Sequence, residues 1–269
     1  MQLHIRHETL YRYGEPVKHS IQNLRLTPRR EPRQRALNWR ISAPGRQAGQ
    51  IDAHGNVVHL LTLDEPHHEI RIVASGVVET DDAQGIGLPD EGRLSPLAYL
   101  AATPLTLPDE MIRALAERHL ARRRPDLQAL LDFSHVVNAA VAYEPGKSEV
   151  HDSAATVLAR GKGVCQDHAH VFIACCRAAG IPARYVSGYF YADTAFDVAS
   201  HAWVDVWLDD ERGWLGLDVS HRELPGGRHC RLAIGRDYLD ACPVRGVRHG
   251  GGAEKMDVNV LVATSAQQQ

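Results

Sequence analysis

The sequence predicts an α+β fold: a β-rich N-terminal domain followed by a core in which one helix packs on an antiparallel sheet. Three observations point to it. Residues 1–80 carry short runs rich in Ile, Val and Leu, separated by Pro, Gly and Asn. Helical periodicity starts only after a Pro- and Gly-rich stretch at 81–108. A helix with clear stop signals is then followed by two alternating runs joined by a turn, at 200–219. The expected division is 1–80 for the β-rich domain, 81–108 for a linker and 109–269 for the core.

In the N-terminal part, Leu3 and Ile5 alternate with His4 and Arg6, and Ala36 to Ile41 reads as a second strand. The turn cluster Asp52 to Asn56 precedes the apolar run Val57 to Leu63, and Glu69 to Val78 is again rich in Ile and Val. Beyond the linker, Asp109 to Arg123 and Leu127 to Tyr143 read as helices. The basic run Arg122-Arg123-Arg124 ahead of Pro125 has no interleaved aromatic residue. It therefore reads as a helix C-terminus and not as a nucleic-acid patch. The tail Gln267-Gln268-Gln269 is expected to fray.

Composition narrows the function classes. The chain has 269 residues, 44% hydrophobic and 23% charged, and a net charge of -3. These are ordinary globular values and exclude collagen-like, coiled-coil or disordered chains. No global basic field argues for nucleic acid. No secretory signal and no apolar run of about 18 residues is visible, so a cytoplasmic protein without a membrane partner is expected. The five cysteines are irregularly spaced and Cys175 adjoins Cys176, which suits reduced thiols better than a disulfide framework. Histidine, at 16 residues, is the outlier. His67-His68, His19, His54, His119, His135, His229 and His249 lie among polar neighbours or in a turn, and solvated surface is their expected setting.

The stretch that carries chemistry runs from Gly161 to Pro182. Gly180 and Pro182 stop a helix whose apolar stripe is Ala169, Phe172, Ile173 and Cys176. Cys165 falls on the same stripe, in the first turn. A helix N-terminus offers free backbone N–H groups and partial positive charge, both of which favour a thiolate. Those N–H groups can also hold an oxyanion. A small core cysteine is the other reading of the same pattern.

In Ser200 to Leu208, Ala202, Val204, Val206 and Leu208 alternate with His201, Trp203, Asp205 and Trp207. After the turn at 209–213, Leu215, Leu217 and Val219 alternate with Trp214, Gly216 and Asp218. An antiparallel hairpin must match core to core. Ala202 opposite Leu217 and Val204 opposite Leu215 does so, and sets His201 opposite Asp218. A slip of two residues keeps the pair on one face, and a slip of one breaks the match. Trp203, Trp207 and Trp214 share that face, either walling a cleft or packing a domain interface. An imidazole oriented by a carboxylate, with a helix-start cysteine elsewhere, is the nucleophile–base–orienter set of acyl transfer.

The segments Gly163 to His170, Gly180 to Tyr189 and His201 to Trp207 with Gly213-Trp214 and Asp218 resemble the bacterial transglutaminase-like cysteine proteases. His7-Glu8-Thr9 with Tyr11 and Tyr13, Leu24 to Pro28, Asp52 with Gly55-Asn56, and Val78-Glu79-Thr80 resemble the N-terminal domain of that family. The resemblance implies a papain-like, transglutaminase-like core without cofactor, with Cys165 as nucleophile, His201 as general base and Asp218 as its orienter. His168 departs from the aromatic residue common at its position, and either tunes substrate fit or faces solvent. Tyr143 is a candidate oxyanion donor, and Gln166, His168 and Trp203 are candidate cleft-lining residues. The expected activity is thiol-dependent hydrolysis of a peptide or amide bond, the alternatives being acyl transfer to an amine and a catalytically silent binding module. A metal site built from Cys165, His168, His170, His201 and His221 is disfavoured, because helix residues two apart point away from each other and no Cys-x-x-Cys is present.

Overall fold

The computed structural model describes residues 1–82, 87–89, 93–120, 126–192 and 200–264. The basic run 122–125, the glycines 85 and 92, most of the segment 192–199 before His201 and the Gln tail fall outside them.

The N-terminal part is all strand: β1 (Gln2–Leu24), β2 (Gln34–Ser42), β3 (Arg46–Ile51), β4 (Val57–Leu63) and β5 (His67–Thr80). A 3-10 turn (Pro96–Leu100) leads to α1 (Glu110–His119) and α2 (Leu127–Ala140). Next come β6 (Ala142–Tyr143), α3 (Ala154–Arg160), β7 (Lys162–Gly163) and α4 (Cys165–Ala178). The chain continues with β8 (Ala183–Phe190), β9 (Ser200–Asp209), β10 (Gly213–Leu217) and β11 (His229–Gly235). It closes with α5 (Tyr238–Ala241), β12 (Val244–Gly250) and β13 (Glu254–Thr264).

β1 organises the first sheet, whose order is β2-β5-β1-β4-β3. Leu3, Ile5, Tyr11 and Tyr13 alternate inward along it, as a half-buried strand requires. β12 and β13 also pair with β1, with Ile5 opposite Val262 and Ile21 opposite Val247. The expected core of 109–269 thus loses its last two strands to the N-terminal sheet. A pairing partner more than 200 residues away leaves no local trace in the sequence. The expected linker is also partly structure. Tyr99, Leu105 and Thr106 are buried, and the Ala154 N–H donates to the Leu105 carbonyl at 2.8 Å.

The second sheet, in the order β10-β9-β8-β11, is wholly antiparallel. Ala202, Val204, Val206, Leu215 and Leu217 form its helix-facing side, and α4 buries Ala169, Phe172, Ile173 and Cys176 against them, as the apolar stripe predicts. α1, α2 and α3 enclose the rest of α4. On the opposite side, Tyr189, Cys230 and Leu232 pack on Leu3, Ile5 and Val78 of the first sheet. Trp203 lies there too, with Val186 and Ile234. It needs Gly188 beneath it, because a Cβ at that position would sit 2.4 Å from the indole ring.

The junction between the sheets is polar and paired. An edge strand carries unpaired backbone groups, and two amides of the N-terminal part satisfy those of β11. Gln34 accepts from Arg231 N–H and donates to Arg231 C=O, both at 2.8 Å. Asn56 does the same for Ile234 at 2.8 and 2.9 Å. Beside them, fully buried Asp205 accepts from Arg184 Nε at 2.8 Å and from Arg231 Nη2, while Arg231 also pairs with Glu31 at 2.9 Å. Burial works to raise the Asp205 pKa, and the two guanidiniums outweigh it and hold the carboxyl ionised. Removing one partner of such a cluster strands the others. Asp205→Ala should therefore cost about 3–5 kcal/mol, a fall in Tm on the order of 10 °C. A loss of only about 1 kcal/mol in a denaturant melt would mean that solvent screens the cluster.

Candidate active site

α4 begins where the sequence places it. Gly161, at φ 69°, closes α3 in the left-handed region, and Val164 is the N-cap of α4. Val164 has no capping side chain, so the cap is supplied from within, as Asp167 Oδ2 accepts the Val164 N–H at 2.7 Å and Ser148 Oγ at 2.5 Å. Gly163 leaves room for that carboxylate, since a Cβ there would lie 2.6 Å from it. Cys165 is the first residue of the helix and is partly exposed. The other four cysteines are buried. Burial drives Cys175 up to about 12, and Cys176, Cys230 and Cys242 upward as well.

The strand register differs from the expected one by two residues. Leu217 lies opposite Val204 and Leu215 opposite Val206, with an irregularity between Gly213 and Trp214. Core still meets core, because a slip of two preserves the faces. Asp218 lies just past β10 and returns to His201, with its Oδ2 2.7 Å from His201 Nε2. The other imidazole nitrogen, Nδ1, is left for Cys165, which adds to the upward pull on His201. Burial alone would pull His201 down. The Asp218 charge and hydrogen bond, together with Cys165, overcome this and raise it to about 10. Burial likewise works to raise Asp218, and the His201 charge with hydrogen bonds from three imidazoles holds it well below the usual carboxylate range.

Two further imidazoles join the expected His201 at this carboxylate. His221 Nδ1 lies 2.8 Å from Asp218 Oδ2, and His229 Nε2 lies 3.0 Å from it. His229 is buried, not solvated, because it starts β11 beneath Phe190 and beside Trp203. Asp218 Oδ1 accepts the backbone N–H groups of Ser220 and His221, both at 3.1 Å. His221 could have been anticipated from its place three residues after Asp218. His229 carries no local signal.

The auxiliary candidates fare unevenly. His168 neither faces solvent nor lines a cleft. It is fully buried, its Nε2 donates to the Val141 carbonyl at 2.7 Å, and its Nδ1 accepts from Ser220 Oγ at 2.8 Å. Val141 C=O can only accept, which fixes that tautomer. Asn138 Nδ2 holds the Ser220 carbonyl at 3.1 Å, so α2 and α4 together clamp the turn that carries Asp218. Trp203 is fully buried and stacks at 6.0 Å on His201 from the interior side, so it supports the imidazole and lines no cleft. Trp214 is buried against Arg184, whose guanidinium lies 4.0 Å from its ring, so of the two readings these tryptophans take interior packing. Gln166 Nε2 is committed to the Val150 carbonyl at 3.2 Å. Tyr143 is half exposed on β6, whose backbone pairs with Gly163 beside the start of α4.

His168 and His170 do not converge on a metal position. His170 is buried in the core, accepts the Tyr238 N–H at 3.1 Å and is pulled down by burial to about 3. Among the described residues, His201, Asp218 and His221, and also Asp218, Glu223 and His229, bring three possible ligand atoms within 4.8 Å. The His201 and His221 nitrogens are hydrogen-bonded to Asp218 at 2.7 and 2.8 Å, closer than ligands about 2.0 Å from one ion would stand.

The model of the transglutaminase-like superfamily matches residues 113–219, the span that holds Cys165, His201 and Asp218. The model of the bacterial transglutaminase-like N-terminal region matches residues 3–79. The chain belongs to the transglutaminase-like superfamily. An uncharacterised protein of Mycobacterium leprae is 30% identical over 98% of this chain and 99% of its own length. A protein-glutamine gamma-glutamyltransferase of Pseudomonas aeruginosa is 34% identical over 103 residues, 33% of this chain and 15% of that one. The fold is shared with a candidate cysteine protease of Cytophaga hutchinsonii, with a TM-score of 0.76 at 21% identity, over 98% of this chain and 91% of that one. Among the described residues, no helix is long and apolar enough to cross a membrane.

Proposed function

We propose that this transglutaminase-like protein is a thiol-dependent amide-bond hydrolase working through Cys165, His201 and Asp218. The observation that supports it most is the His201 imidazole held by Asp218 at 2.7 Å, with Cys165 at the α4 N-terminus among the groups that raise His201. Cys165 Sγ attacks the amide carbonyl, its proton having passed to His201. The developing oxyanion meets first-turn N–H groups of α4, with Tyr143 as a candidate second donor. His201 returns the proton to the departing amine, leaving a thioester. His201 then takes a proton from water, which attacks the thioester and releases the acid and free Cys165. Asp218 holds the imidazole tautomer and stabilises the imidazolium.

An amine can take the place of water at the same thioester, which is the second reading, and the match to a gamma-glutamyltransferase over 103 residues favours it. Hydrolysis is preferred because it needs no second binding site for an acceptor. Peptide and glutamine-amide substrates offered with and without a labelled primary amine separate the two. Free acid in both cases marks a hydrolase, and label in the product marks a transferase.

The test that needs no substrate is alkylation. Iodoacetamide at neutral pH should modify Cys165 roughly tenfold or more faster than any other cysteine, as peptide mapping reads out. Equal, slow labelling of all five would end the activated-thiol reading.

A further inference from the structure

The Asp218 carboxylate has more partners than a tautomer-holding carboxylate needs, and one of them is built in. His229 Nδ1 accepts the Gly226 N–H at 3.3 Å, and its Nε2 faces Asp218 Oδ2 at 3.0 Å. A backbone N–H can only donate, so Nδ1 is bare and the ring proton sits on Nε2. His229 is therefore a donor to Asp218. Its ring is packed by Phe190 at 4.8 Å and Trp203 at 5.3 Å, and its backbone is fixed in β11 opposite Phe190. The other titratable and charged groups around it are His201, with ring centroids 6.2 Å away, His221 on the same Asp218 oxygen, Glu223 on the strap bridged to Asp218, and Arg228 and Arg231 over the Phe190 and Trp203 rings that pack it. Burial pulls the His229 pKa down and keeps the ring neutral, against the upward pull of Asp218.

We propose that His229 is a positioning residue of this site: a neutral imidazole, locked as its Nε2–H tautomer, that fixes the Asp218 carboxylate in the orientation His201 needs. A neutral donor suits this place. It occupies a lone pair of Oδ2 and stops the carboxylate from rotating, without adding a second cation that would compete with His201 for the same charge. His221 also bonds Oδ2, but its side chain is 31% exposed and lies on the turn that carries Asp218, so it moves with that turn. His229 comes from a separate strand and ties the carboxylate to the sheet.

The inference rests on the reading of Cys165, His201 and Asp218 given above, and its test keeps the two apart. Cys165 alkylation by iodoacetamide is measured in the wild type, His229→Leu and His229→Gln, with a melting curve for each. Leucine keeps apolar bulk and loses the donor. Glutamine restores an N–H donor and an acceptor for Gly226. Alkylation should slow by about tenfold or more in His229→Leu and return to within roughly threefold of wild type in His229→Gln. Equal rates in all three, or equal losses in both variants, overturn the inference while fast wild-type labelling leaves the proposed function standing. Slow wild-type labelling instead removes the proposed function. In that case, and if His229→Leu fails to fold, nitrogen NMR of the wild type decides. His229 should show a bare Nδ1 that does not titrate between about pH 5 and pH 8. A protonated Nδ1 would overturn the locked tautomer.

Discussion

Cys165→Ala should abolish turnover of any peptide or amide substrate, a loss on the order of 10⁶-fold where the nucleophile of a hydrolytic triad is removed. Stability should barely change. Cys165 is partly exposed at a helix start, and only a thiol is lost there. The neighbouring cysteines offer no substitute, since Cys175 and Cys176 are wholly buried in the body of α4 and their thiols are pushed up by burial. The comparison to make is kcat against KM, with the melting temperature alongside. Loss of kcat with an unchanged KM and Tm places Cys165 at the chemistry. Activity that survived would mean that another group attacks, and that the contact between Cys165 and His201 serves packing.

How much of this site the sequence carries depends on the range of the contact involved. The α4 start is local. Gly161, Gly163, the apolar stripe and Gly180 lie within one segment, and the helix occupies the expected residues from Cys165 on. The hairpin is nearly local, and its faces are legible because strand periodicity is two. Its register is not, because the irregularity at Gly213 shifts the pairing by two without disturbing either face. His201 and Asp218 meet in spite of this, because Asp218 lies past the strand and folds back. Long-range placement is where the sequence falls silent. β12 and β13 fall in the span expected for the core, yet their partner is the first strand of the chain. His229 reads as a polar surface residue in Gly226-Gly227-Arg228-His229, and only the pairing of β11 with β8 brings it beneath Asp218. His168 shows the same limit, since its two partners come from the residue that caps α2 and from the turn after β10.

Asp218→Asn should lower kcat by about 10³–10⁴-fold, near the effect of the same change in a Ser-His-Asp triad. An asparagine can present its NH₂ to His201 Nε2, which reverses the hydrogen bond and imposes the wrong tautomer. It also removes the charge that sustains the imidazolium. The pH dependence gives this claim a sign. In the wild type His201 is raised to about 10, above its ordinary 6.5. Its charge pair with Asp218 thus stabilises the fold fully below about pH 6.5, and that contribution is lost as pH rises toward about 10. In the variant, burial, which disfavours the cation, acts without the opposing carboxylate, and His201 becomes neutral at lower pH. The alkaline decline of turnover, which needs the His201 proton for the departing amine, should then move toward neutrality, and the part of the stability difference that comes from the His201–Asp218 charge pair should vanish above about pH 10. His221 and His229 sharpen the outcome, because both also bond Asp218 Oδ2 and each must find a new acceptor when that oxygen is replaced by an amide. An alkaline limb that stayed where it is in the wild type would show that His201 owes its raised pKa to Cys165 and not to Asp218, and would separate the orienter from the base.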